Sequence, residues 1–153
     1  MWCMQRTRQP VQSVDPIYEE LLRDEKLAEL QKACQDTITE GVEVTTSEGV
    51  KKFSLTIQDQ INLMGLRNLL DKGVSAMPYH ANGEPMRLWS REDMQKVWQA
   101  TDRHITYHRV YFSLLREGIR RTGYPDFWGI DYGNALPDDS ERNMTEFCKA
   151  VGV

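Results

Sequence analysis

Phe53-Ser-Leu-Thr-Ile-Gln-Asp-Gln-Ile-Asn-Leu63 decides how this chain is read, because a strand end there runs directly into a capped helix. Thr56 is placed to accept from the first free amides, and Asp59, three residues on, answers both the capping pattern and the helix dipole. Ile57, Ile61, Leu63, Leu66, Leu69 and Leu70 give that helix more apolar surface than one stripe needs, so a central position is expected for it. Asp71-Lys72-Gly73 ends it. Upstream, Val42-Glu-Val-Thr-Thr46 alternates, Ser47-Glu48-Gly49 turns, and Val50-Lys-Lys-Phe-Ser-Leu55 returns, which predicts a hairpin. Further back, Asp15 and Pro16 form a helix start. Leu27, Leu30, Cys34 and Ile38 recur at helical spacing and Gly41 supplies the stop.

Downstream, residues 76–90 read as a second hairpin turning at Asn82-Gly83, a pair suited to the positive φ of a tight turn. Pro78 and Pro85 confine its strands to an edge. Ser90 with Asp93 then opens the longest helix, over 91–121. Met94, Trp98, Thr101, Ile105, His108, Phe112, Leu115 and Ile119 alternate spacings of four and three along it, a heptad-like seam that calls for a partner helix. Gly123 closes it. The expected fold is α+β, with three main helices and two β-hairpins forming a small antiparallel sheet. The division is an N-terminal arm at 1–14, a core domain at 15–122, and an aromatic C-terminal arm at 123–153 with a short helix around Met144, Phe147, Cys148 and Val151.

Composition restricts the function. The 153 residues suffice for one domain with a real core. A net charge of −4 argues against a dedicated nucleic-acid surface, since Arg6, Arg8, Arg120 and Arg121 are too sparse to build one. No apolar run approaches the ~18 residues a membrane span needs, so no membrane partner is expected. Met1–Pro10 lacks the apolar stretch of a secretion signal. Cys3, Cys34 and Cys148 share no close spacing and suit free thiols in a reducing cytosol.

The residues able to carry chemistry have plain alternatives. His104 and His108 lie four apart on one helical face, and His80 is a conceivable third metal ligand. The metalloprotease pattern, however, needs Glu after the first His, where this chain has Ile105. His108 also sits on the apolar seam, so packing is the expected role and no metal or cofactor is anticipated. Asp59, Glu92 and Asp93 fall in first helical turns, where capping accounts for them. Cys34 reads as a small buried hydrophobe, and no electropositive setting activates a cysteine. The chain is expected not to be an enzyme.

Phe53–Leu63, Pro78-Tyr-His-Ala-Asn-Gly83 and His104-Ile-Thr-Tyr-His-Arg-Val-Tyr-Phe-Ser-Leu-Leu115, in that order, resemble a family of small phage-encoded domains of unknown function. That family is found in tail-fibre and baseplate-associated proteins of phages and prophages, many from Gram-positive hosts. The resemblance covers roughly residues 25 to 122 and brings no established chemistry. It implies a virion structural protein at the baseplate, tail tip or tail-fibre attachment point, assembled in the host cytoplasm. Its partners would be other tail or baseplate proteins and copies of itself. A tail-fibre assembly chaperone is one alternative, and a phage-encoded inhibitor of a host defence protein is another. A metal-dependent hydrolase built on the three histidines ranks last.

The C-terminal arm has the strongest binding signal. Tyr124, Phe127, Trp128 and Tyr132 place four large rings within nine positions, and such rings dominate interaction hot spots. They are the expected partner-binding residues, anchoring the protein on a neighbour and not folding back on the core.

Overall fold

Asp15 starts the first helix by accepting a hydrogen bond from the Ile17 amide at 2.8 Å, with Pro16 behind it at the first helical position. This computed structural model describes residues 15–134 and 140–151, so the proposed 1–14 arm lies outside the described residues. Helix α1 spans Pro16–Glu40. Gly41 ends it with φ 85°, and a Cβ there would lie 1.9 Å from the carbonyl oxygen of Phe53. Glycine is required on both counts, and this close approach seats the end of the first hairpin against the end of α1.

Strands β1 (Val42–Thr46) and β2 (Gly49–Phe53) pair antiparallel, with Thr46 opposite Gly49 and only Ser47-Glu48 between them. Helix α2 spans Ile57–Asp71, and both halves of the Thr56/Asp59 capping box are made. Strands β3 (Ala76–Tyr79) and β4 (Arg87–Ser90) form the second hairpin. Helix α3 runs from Arg91 to Arg121, capped by Ser90. A short 3₁₀ turn at Asp126–Gly129 and helix α4 (Ser140–Val151) follow. The fold is α+β, with three main helices, two small antiparallel hairpins and the shorter α4.

Three details differ from the sequence expectation. The hairpins do not merge into one ladder: each is its own two-stranded sheet. They are linked by the Asn82 amide donating to Lys52 O at 2.8 Å, and by the Ser54 amide donating to Asn82 Oδ1 at 2.9 Å. Those two bonds also explain the second difference. Tyr79 pairs with Arg87, so Asn82-Gly83 sits in a longer loop drawn toward β2 and not in a two-residue turn. Third, α2 is peripheral. It buries Leu63 and Leu70, while Ile57, Ile61 and Met64 are 78%, 56% and 70% exposed.

The central element is α3. Its first half carries Met94 and Val97 into the main core with Phe53, Met77, Tyr79 and Trp89 from both hairpins. Phe53 stacks on Tyr79 and meets Trp89 edge-on, and the Trp89 indole donates to Tyr79 O at 2.8 Å. Asp93, buried at the start of α3, accepts from the Ser47 amide at 2.9 Å and from the Ser47 hydroxyl. Those bonds pin the first hairpin's turn to the helix and hold the Asp93 carboxyl below its usual range despite burial. Farther along, Tyr111 and Leu115 meet Met144 of α4, and Ile119 meets Leu30 of α1. The four-three seam of α3 is therefore shared: Met94 packs on the hairpins, Leu115 on α4 and Ile119 on α1. Among the described residues no helix is long and apolar enough to cross a membrane.

Candidate functional site

Residues 123–134 leave α3 as a strap folded back across α1, and α1 is built to receive it. Arg23 donates to the terminal carbonyls of α3 at Ile119 and Thr122, at 3.3 and 3.2 Å, which satisfies groups a helix end leaves free. The same guanidinium lies 5.1 Å over the Phe127 ring. Glu19 accepts from the Tyr124 amide at 3.1 Å, and Lys26 lies 5.9 Å over the Trp128 ring.

The four predicted anchoring rings divide accordingly. Phe127 is 0% exposed, packed between Leu30 and Ile119. Tyr132 is half-buried among Tyr111, His108 and all three hydrophobic clusters. Both are committed to the chain's own core. Tyr124 and Trp128 are each 39% exposed and keep a face toward solvent. The expectation that the arm stands clear of the core is thus corrected for residues 123–134, because α1 offers a matching surface of apolar and cationic side chains. The remaining sequence at 135–139 and 152–153 lies outside the described residues.

Where the strap ends, Cys34, His104, His108, Tyr111 and Tyr132 converge. The Tyr132 hydroxyl and His108 Nδ1 are hydrogen-bonded at 2.6 Å, and the Cys34 thiol donates to the His108 carbonyl oxygen at 3.4 Å. The Tyr111 hydroxyl donates to Asn134 O at 2.6 Å and accepts from the Gly133 amide at 3.0 Å. Burial pushes the Cys34 thiol up, only partly offset by the Tyr132 hydroxyl, so it stays protonated at neutral pH. Burial, with Cys34 beside it, likewise raises the Tyr132 phenol. The His108 imidazole is pushed down by burial and by neighbouring His104, whose ring centroid is 4.6 Å away. His104 Nε2 faces Thr37 O at 3.0 Å, and His80 Nδ1 faces Ala81 O at 3.3 Å in the second hairpin's loop. Each imidazole therefore has a partner inside the chain. Among the described residues no group of three or more His, Cys, Asp or Glu is arranged to hold a metal.

Asp59 makes its half of the capping box, whereas at Asp93 it is the backbone amide that donates to Ser90 Oγ, at 3.2 Å, and the carboxylate is taken by Ser47. Cys148 lies at the α4 contact with a free thiol, and Cys3 is outside the described residues.

A third feature escaped the sequence reading. Between α1 and α3, closed at one end by the start of α2, runs an open groove of about 610 Å³. Cys34, Ile38 and Phe112 line it apolarly; Gln31, Gln35, Ser113, Arg109 and Arg116 supply its polar walls. Arg109 donates to Gln60 Oε1 at 3.3 Å, and Arg116 lies 6.0 Å over the Phe112 ring. The available signal was a pair of arginines seven apart on α3 facing two glutamines four apart on α1. Off the apolar seam, such residues read as an ordinary solvated face.

Residues 22–123 match the family model described as domain of unknown function DUF4376. The chain belongs to the DUF4376 family. The matched span begins inside α1 and ends just past α3, so it contains both hairpins and the whole groove but not the four strap rings. No curated protein and no solved structure matches the chain.

Proposed function

We propose that this DUF4376 protein is a non-enzymatic component of a phage or phage-tail-like particle, placed at the baseplate, tail tip or tail-fibre attachment and acting by protein–protein contacts. The observation that carries the reading is the outward stripe of α2. Ile57, Ile61 and Met64 fall at spacings of four and three on one face, all more than half exposed. A helix that turns such a stripe to water lacks the element that would cover it.

The stripe is small. Burying three such side chains supplies roughly 1.5–3 kcal/mol each before the cost of association is subtracted. One contact of that size is weak, but repeated contacts in a multi-copy assembly reinforce each other through effective concentration. The sequence resemblance to tail-associated phage domains supports the same setting. The paired histidines and the raised Cys34 thiol favour a structural role over catalysis.

Particles released from the host and purified on a density gradient provide the test. Quantitative mass spectrometry should find the chain in the particle fraction at a fixed copy number, and Ile61→Asp should remove it from that fraction. Presence in the lysate but never in particles would overturn the reading in favour of an assembly chaperone.

A further inference from the structure

We propose that the groove between α1 and α3 is a docking slot for an acidic polypeptide segment of a partner, in which a carboxylate meets Arg109 and Arg116 while an adjacent apolar side chain rests on Cys34, Ile38 and Phe112. This inference stands independently of particle membership.

Charge is the first argument. The chain carries a net −4, yet the groove wall holds two guanidiniums without an ion pair among the described residues. Its one lining carboxylate, Asp36, is already taken by Lys32 at 2.6 Å. Arg116 Nε is buried and has no hydrogen-bond acceptor among the described residues. A buried donor without a partner costs stability, and an arriving carboxylate removes that cost while using the planar fork of the guanidinium. Two isolated arginines on an acidic protein do not form the extended basic track that nucleic acid requires.

Shape is the second. An apolar floor under a polar rim is the general anatomy of a site that seats one side chain and fixes its backbone. Gln31 and Gln35 each present a donor and an acceptor along the rim, which suits the amides of an extended chain.

No described segment of the chain fills this role. Residues 1–14 contain Arg6 and Arg8 and no Asp or Glu, so they lack the carboxylate the slot calls for. Met144 and Cys148 of α4 pack against Val110, Tyr111, Leu114 and Leu115, half a turn around α3 from Arg109, Phe112, Ser113 and Arg116.

The probe is an array of dodecamer peptides varied in acidity and apolarity, screened with the full chain, followed by fluorescence polarisation on selected peptides. The wild type should select Asp or Glu beside Leu, Ile, Met or Phe. Replacing those acids by their amides, or adding salt, should weaken binding by about tenfold or more. The Arg109→Gln/Arg116→Gln double variant should lose the selection while keeping its melting temperature. Gln35→Glu, at an exposed position, introduces a repelling charge and should weaken the same peptides even where the double variant folds poorly. Absence of acidic selection, or equal binding by wild type and Gln35→Glu, would overturn the proposal. So would saturation by free citrate without any peptide preference.

Discussion

Phe127→Ala tests the folded-back strap most directly. The ring is fully enclosed, held between Leu30 of α1 and Ile119 of α3, with the Arg23 guanidinium 5.1 Å from its centroid and Tyr124 edge-on at 5.9 Å. Truncation removes the ring's transfer free energy and leaves a void bounded by two helices whose mutual packing prevents full collapse. Phenylalanine truncations in such settings cost about 3–5 kcal/mol. The strap is peripheral and can relax on one side, which places this site near 3 kcal/mol, or roughly 6–12 °C in melting temperature for a chain of this size. Trp128→Ala is the control: its ring is 39% exposed and touches Lys26 chiefly, so a loss within about 1 kcal/mol is expected. Thermal and urea denaturation, followed by circular dichroism, would measure both, and limited proteolysis should show new cleavage between 123 and 134 only in Phe127→Ala. If Phe127→Ala melted within 2 °C of wild type, roughly 1 kcal/mol or less, the strap would not be part of the core and the anchoring role for all four rings would return.

Four further outcomes are expected. The His108 imidazole is pushed below the ~6.5 of an unfolded histidine, so the unfolded chain binds its proton first and the contribution of His108 is complete above about pH 6.5 and lost as pH falls toward the folded value. Urea midpoints should therefore drop between pH 7.5 and 5.5, and His108→Asn should flatten that drop although His104, Tyr107, Tyr132 and Arg109 remain around the site. Gly41→Ala should be strongly destabilising, by more than about 2 kcal/mol in chemical denaturation, since its Cβ would overlap Phe53 O at a positive φ. Phe112→Ala should cost more than Arg109→Ala, which should stay within about 0.5 kcal/mol because its guanidinium is exposed and lies off the seam. Elemental analysis of native protein should find no stoichiometric metal; one zinc per chain lost on His104→Ala would refute the packing role of the histidines.

The features legible in the sequence are those set by neighbours along the chain. Asp15-Pro16, Thr56 with Asp59, and Ser90 with Asp93 each satisfy free amides within three residues, so the starts of all three main helices were readable. The α3 seam was equally plain because Met94, Thr101, Leu115 and Ile119 repeat along one element and are buried. What failed depended on residues far apart. The leucines and isoleucines of α2 do not reveal that only the leucines find cover. Asn82-Gly83 suggests a tight turn until Lys52 and Ser54, from another hairpin, draw the loop away. The fate of Phe127 rests on Leu30 and Arg23, about a hundred positions earlier, and nothing local announces either. Arg109 and Arg116 read as solvated until α1 is laid beside them.

The family span separates the two candidate surfaces. A function shared across DUF4376 has to reside within the matched residues 22–123, and every side chain of the groove falls inside that interval. Tyr124, Phe127, Trp128 and Tyr132 all lie beyond it, and two of them are held in this chain's own core. Aromatic density drew attention to the strap, but an aromatic buried on its own fold has no surface left for a partner. A guanidinium on an open groove wall has one, because no carboxylate among the described residues pairs with Arg109 or Arg116. Between a segment rich in binding-prone residues and a groove with an unsatisfied donor, the physical argument favours the groove.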